Sequence, residues 1–235
     1  MNKSSHLITY MLLGIFCGLL GFKWPAALCY AGDEYTVAFQ TDFEKEAVDK
    51  EASQLEFMVL GEGDFRVKQD GTNKVLELAP IPMDTHGLLF GPTEKENITV
   101  QARIFGTSTG RRFPVFGIGV NGLGGYILRV NPAKKALELL KGDDVKQSIP
   151  YTWLTGTWTV FSLMITKVKD GVWSIQGKAW EQGKEDPKEP VWNTIGGLQL
   201  DESEQPPAGR PSLWGVPYSA QPIRFDDLVV KKLKK

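Results

Sequence analysis

From Tyr35 onward, apolar and polar residues alternate with a period of two along most of the chain, and turn residues interrupt the alternation at short intervals. The segment "DFRVKQDGTNKVLEL" places alternating runs on either side of Asp70-Gly71, and "FSLMITKVKDGVWSIQGKAW" does the same around Asp170-Gly171. A third, "GIGVNGLGGYILRV", turns between Asn121 and Gly125. Each predicts an antiparallel hairpin. Helical signal is confined to two places. "DFEKEAVDKEASQLEF" supports a turn or two between Asp42 and Ser53. "NPAKKALELLKGDD" has helical propensity, but a sheet-forming run precedes it and Gly142-Asp143 follows as a turn, so a strand over Ala136–Lys141 fits its setting better. Many short strands with frequent turns predict an all-β chain, a two-sheet antiparallel β-sandwich of jelly-roll type or a barrel, and two sheets over one core suit this length. The proline-rich stretches "EQGKEDPKEP" and "DESEQPPAGRP" read as loops within one domain, because "GRPSLWGVPYSAQPIRFDDLVV" must still return to complete a sheet.

The glycine-rich hairpin has a definite register. If Val120 pairs with Tyr126, then Ile118 faces Leu128 and Phe116 faces Val130, which puts one wholly apolar face into the core. The other face then carries Arg111, Phe113, Val115, Gly117 and Gly119, with Arg129 opposite Gly117 and Ile127 opposite Gly119. Glycines there leave either a trough beside arginines, open to close approach by a ligand, or room for a bulge or tight bend. With Arg112 adjacent, the open trough would suit an anionic glycan.

Export chemistry narrows the inventory. Lys3, an apolar run from Leu7 to Phe22, and "AALCYA" with Cys29 and Ala31 at the minus-three and minus-one places form a secretory signal-peptide pattern, with cleavage after Ala31. The alternative, an uncleaved anchor, would need a longer apolar run than this one, which Gly14, Gly18 and Gly21 interrupt. Cleavage removes both cysteines, Cys17 and Cys29, and also His6, so residues 32–235 keep no thiol and a single histidine, His86. Disulfide frameworks, thiolate zinc sites and cysteine nucleophiles are thereby excluded. Loss of Lys3 and Lys23 leaves 25 basic against 28 acidic residues, a net charge of about −3 that attracts no nucleic acid. The terminal "KKLKK" is too short a basic run to change that.

The C-terminal half, with "GTWTVFSLMI", "GKAWEQGKEDPKEPVWN" and "GRPSLWGVPYSAQPIRFDDLVV", resembles the closing strands of bacterial laminin-G-like domains of the concanavalin A-like lectin/glucanase superfamily. "DFE" at Asp42 to Glu44 and "GDFRVKQDGTNKVLEL" extend the resemblance over most of residues 35–233. It implies a jelly roll whose concave face receives carbohydrate, although fold does not fix function. The glucanases of that superfamily resemble one another in a Glu-x-Asp-x-Glu or Glu-x-Asp-x-x-Glu strand. "GEGDFRV" offers Glu62 and Asp64 but Val67 at the place of the second glutamate, and the lyases' Gln-x-His segment is missing around His86, which reads as a surface or strand-edge residue. Similar sandwiches also place a structural calcium beside the first and last strands. Asp226 and Asp227 in "IRFDDLVV", with Asp42 or Glu44, could supply part of such a cage, which needs six to eight oxygens. The competing reading, which the sequence favours, is an aspartate accepting backbone hydrogen bonds at a strand or loop junction.

Exposed indoles suit sugar rings, whose C–H faces are apolar. Of the six tryptophans after residue 31, Trp158 and Trp173 alternate with apolar strand residues and are expected in the core. Trp153, Trp192 and Trp214 fall at loop margins, as do Tyr151 and Tyr218. The sequence therefore points to a secreted, periplasmic or cell-surface domain with no membrane insertion after cleavage. It would bind polysaccharide or glycoconjugate noncatalytically through Arg111, Arg112, Arg129, Tyr151, Trp153, Trp192, Trp214 and Tyr218. Two alternatives stand beside it: a glycoside hydrolase or polysaccharide lyase with an unfamiliar site, and a structural or adhesive envelope component.

Overall fold

The computed structural model describes residues 35–184, 194–200 and 204–234. The signal-peptide pattern of residues 1–31 and Trp192 lie outside them. In chain order the strands are β1 (Tyr35–Thr41), β2 (Met58–Leu60), β3 (Phe65–Asp70), β4 (Asn73–Leu78), β5 (His86–Leu89), β6 (Ile98–Phe105), β7 (Val115–Val120) and β8 (Tyr126–Asn131). They continue with β9 (Ala136–Lys141), β10 (Asp144–Pro150), β11 (Trp158–Lys169), β12 (Val172–Glu181), β13 (Thr194–Leu200), β14 (Ser212–Val216) and β15 (Ile223–Leu233). All pairings are antiparallel. The expected helical turns shrink to short 3-10 segments at Ala52–Leu55 and Pro132–Lys134, and the ambiguous "ALELLK" is strand β9.

Two sheets form a sandwich. The first runs β13-β12-β11-β6-β15-β4-β3, with β1 also paired to β15, and the second runs β10-β9-β8-β7-β14-β5-β2. Alternation explains the stacking: in β6 every second residue (Ile98, Val100, Ala102, Ile104) is buried, and in β11 Phe161, Leu163 and Ile165 are buried likewise. These side chains meet Phe116, Ile118, Leu128, Val130, Leu137 and Leu139 of the second sheet in one continuous core. Burying several side chains of this size at about 1.5–3 kcal/mol each is what fixes the register, since a one-residue slip would turn them all outward.

The hairpin β7–β8 has the expected register throughout, from Phe116 opposite Val130 to Val120 opposite Tyr126. Arg129 therefore projects from the same outer face as Gly117 and Gly119. That face does not continue back to Arg111. Strand β7 starts at Val115, after Pro114, and Arg111 and Arg112 sit exposed in a tight loop closed by paired hydrogen bonds between Thr109 and Arg112.

Candidate functional site: a groove on the outer face of the second sheet

Strand β14 lies between β5 and β7, and its register sets Trp214 beside Gly87 on one side and Gly117 on the other. Trp214 is thus mid-strand in the centre of the sheet, a correction to its expected place at a loop margin. Its indole lies across the neighbouring strands. A Cβ on Gly87 would press on the benzo edge at 2.8–3.0 Å, and one on Gly119 would overlap Ser212 Oγ and lie 3.3 Å from the indole Nε1. The indole N–H donates to Ser212 Oγ at 2.8 Å, with Ser212 itself buried. The glycines accordingly do not leave an empty trough. Gly87 and Gly119 make room for the chain's own indole, and Gly117 serves close strand pairing, because a Cβ there would overlap the Leu128 carbonyl oxygen.

Around the half-buried indole is a groove of about 290 Å³. Ile127, Arg129 and Leu140 line its floor beside Trp214, Val115 and Val216 one end, and Leu123 and Asp143 the other. Leu123 and Asp143 belong to the β7–β8 and β9–β10 turns, which fall at the same end of the sheet because Tyr126 pairs with Lys141. Leu123 is 61% exposed.

Arg129 does not offer a free charge to this groove. Its Nε donates to Glu138 Oε2 at 2.7 Å across the β8–β9 ladder, where the two residues are directly opposed. Glu138 is 2% exposed and also accepts from Lys134 Nζ at 3.2 Å and Asn131 Nδ2 at 3.4 Å. Burial pushes the Glu138 carboxyl up, but the Arg129 hydrogen bond and charge, with Lys134 and Asn131, outweigh it and hold the group below the usual carboxylate range.

The other expected ligand residues divide. Tyr218 is exposed in the loop after Val216, at the groove end where β7 begins and the Arg111-Arg112 loop precedes it. Tyr151 and Trp153 are corrections. Tyr151 is a core residue whose phenol burial pushes up to about 12, and Trp153 packs edge-on against Phe116 at 5.8 Å with its indole nitrogen buried. Both follow β10 and turn inward over the open end of the sandwich, which gives more apolar burial than a solvated loop would. Trp173 is buried as expected, whereas Trp158 lies on the outer face of the first sheet, half-buried beneath the Arg103 guanidinium at 4.6 Å. His86 is 2% exposed, on the core side of β5, with its Nε2 2.9 Å from the Pro82 carbonyl. It is neither a surface nor a groove residue.

The calcium set does not assemble. A bulge in β15 between Asp226 and Val229 leaves Asp227 at φ 49°, so the two aspartates do not simply alternate. Asp226 is fully buried, and its carboxylate accepts from Arg103 at 2.5 Å, Asn73 Nδ2 at 2.7 Å and the Asp227 backbone N–H at 2.7 Å. Asp42 accepts from the Glu44 N–H, and Glu44 from the Lys74 N–H at 2.8 Å. Asp42 and Asp227 do line one polar cleft, but Asp227 also contacts the Arg103 guanidinium at 2.9 Å. Among the described residues no group of three or more histidine, cysteine, aspartate or glutamate side chains is placed to hold a metal ion.

The residues that sequence reasoning missed are Glu138, Ser212, Gly87, Leu123 and Leu140. Glu138 had a usable signal: a lone carboxylate alternating with leucines in β9, one hairpin away from a lone arginine in β8.

No family model matches the chain, and no curated protein matches it. Solved structures do share its fold. A protein of unknown function with a galectin-like fold from Bacillus subtilis superposes with a TM-score of 0.55 at 10% identity, covering 87% of this chain and all of that one. The PL-14 alginate lyase from Aplysia kurodai gives 0.54 at 9% identity, covering 84% and 99%. The carbohydrate recognition domain of Emp46p in its metal-free form gives 0.52 at 9% identity, covering 82% and 95%. The chain therefore shares the galectin-like fold, a two-sheet antiparallel β-sandwich of jelly-roll type.

Proposed function

We propose that this chain is a noncatalytic glycan-binding domain and that its ligand sits in the groove over Trp214. The observation that carries the reading is the indole itself. It is laid across the sheet by Gly87 and Gly119, held in place by Ser212, half-buried, and flanked by the Arg129–Glu138 pair. One flat apolar surface beside fixed hydrogen-bonding groups is what a pyranose ring requires. The fold shared with a carbohydrate recognition domain agrees with the reading, and the bacterial laminin-G-like family is the assignment we put forward within that superfamily. Tyr218, Arg111 and Arg112 are proposed as outer contacts at the Val115–Val216 end of the groove.

We also propose that the protein is exported, with cleavage after Ala31, and acts as a single domain outside the cytoplasm, either secreted, periplasmic or at the cell surface. N-terminal sequencing of exported material should return Gly32 as the first residue. Intact Met1 in a membrane fraction would replace export with anchoring.

A glycan array, followed by titration calorimetry on the best ligand with wild type and Trp214→Ala, tests the binding reading. Loss of roughly five- to thirtyfold in affinity is expected, since a stacked aromatic contributes on the order of 1–2 kcal/mol. Release of reducing or unsaturated ends from the bound glycan would convert the domain into an enzyme. Retained affinity in Trp214→Ala would move the site elsewhere.

A further inference from the structure

We infer that the sugar unit seated over Trp214 is uncharged, and that Glu138 is the residue that sets this preference. The inference rests on the glycan-binding reading and narrows its substrate class. Arg129 is the one cation that lines the groove among the described residues, and it stands opposite Glu138 in the ladder, 2.7 Å away. Lys134, the second cation near it, also ends on Glu138, and Asp143 adds a carboxylate at the groove's far end. Arg129, Lys134, Glu138 and Asp143 together carry no net charge around the indole, whereas Arg111 and Arg112 stand outside it, in the exposed loop that precedes β7.

Such an arrangement presents guanidinium N–H donors without an attractive field. Only the Nε of Arg129 is taken by Glu138, and no bond to the terminal N–H groups occurs among the described residues. Hydroxyl oxygens of a neutral sugar can accept from them at no electrostatic cost. A uronate or sulfate in the same place would meet the negative Glu138 directly behind the arginine and Asp143 at the end of the groove, while giving up its own hydration. The rest of the floor, Ile127 and Leu140 with the indole, favours apolar C–H faces.

The experiment compares neutral gluco-, manno- and galacto-trisaccharides with trigalacturonate and trimannuronate by calorimetry, on wild type and Glu138→Gln. In wild type the best neutral ligand should bind on the order of tenfold more tightly than either uronate, the effect of about one partly screened charge. Its affinity should change less than about twofold on raising salt, because no net charge is neutralised. Glutamine keeps an acceptor for Arg129 but removes the compensating charge, so the uronates should gain on the order of tenfold and the preference should close. The neutral-to-uronate affinity ratio in wild type tests the inference even if Glu138→Gln does not fold. Tighter, salt-sensitive uronate binding by wild type would overturn the inference while leaving the glycan reading intact, as would an unchanged neutral-to-acidic ratio in Glu138→Gln. Binding of no trisaccharide and no arrayed glycan would overturn the glycan reading and this inference with it.

Discussion

Replacing Arg103 by alanine should destabilise the protein more than any other single change on the outer face of the first sheet. Its guanidinium bonds the fully buried Asp226 carboxylate, contacts Asp227 at 2.9 Å and covers the Trp158 ring at 4.6 Å. Asp227 is more than half exposed and loses little when released into water. Asp226 has no such escape, because it would keep only Asn73 and one backbone N–H. Breaking a buried pair from one side costs about 3–5 kcal/mol, and loss of the cation over an indole adds about 0.5–1 kcal/mol. Taking about 4 kcal/mol, with about 2–4 °C of melting temperature per kcal/mol for a domain of this size, the expected fall is about 8–16 °C by circular dichroism at neutral pH. The pH dependence supplies a signature. Burial already raises the Asp226 carboxyl above the usual carboxylate range despite Asn73, the Asp227 N–H and Arg103. A group whose folded pKa lies above its unfolded one gives stability that is present at low pH and lost as pH rises through the folded value, and removing Arg103 raises that value further. The deficit of Arg103→Ala should therefore narrow as pH falls toward the range where Asp226 takes up a proton. Adding Asp226→Asn should recover most of the loss, since the neutral amide keeps an acceptor for the Asp227 N–H. A fall of less than about 3 °C in Arg103→Ala, with no narrowing at acid pH, would refute the buried-pair account.

Arg129→Ala should cost about 2–3 kcal/mol in urea unfolding, less than Arg103→Ala because Lys134 and Asn131 remain on Glu138. Glu138 has a depressed folded pKa, so its contribution is present above the unfolded value near 4.5 and lost as pH falls through the folded one, and the variant's acid midpoint should move upward. Gly119→Ala should displace the Trp214 indole from Ser212, abolishing ligand-induced fluorescence change while the far-ultraviolet spectrum stays that of a β-sandwich. Tyr126 and Tyr151, both raised to about 12 by burial, should give no phenolate absorbance in the folded protein near pH 10. Because their folded values exceed the unfolded ones, stability should decline as pH rises from about 10 toward 12, which alkaline melting curves would detect.

The β7–β8 register, the strand at Ala136–Lys141 and the Asp70-Gly71 and Asp170-Gly171 hairpins were legible because period-two alternation and turn residues are local signals. The candidate site was legible only in its parts. Arg129 and Trp214 were recognisable as candidate residues, but their juxtaposition depends on β14 inserting between β5 and β7, a pairing between segments about 100 residues apart in the chain that no local pattern encodes. For the same reason the glycines read as either a trough or room for a bulge or bend, since the indole that packs on them comes from β14. Tyr151 and Trp153 misled because a loop-margin aromatic looks the same in sequence whether it folds outward over solvent or inward over the end of the core. The Asp226-Asp227 pair was read correctly as needing a partner, which for Asp226 is Arg103, directly opposite it in the β15–β6 ladder.

The order in which strands occupy the two sheets bears on how the chain can be handled before it folds. In each sheet a central position belongs to a late segment: β15 lies between β6 and both β4 and β1, and β14 between β5 and β7. A nascent chain lacking residues 212–233 therefore has both sheets split in two, with unpaired inner edges, β1 without its partner and no closed core, however well its hairpins have formed. Such a chain cannot complete its fold from the N-terminal side as it emerges. Ordering must wait for contacts of high sequence separation, which makes the transition slow and leaves the polypeptide threadable until its last strands are available.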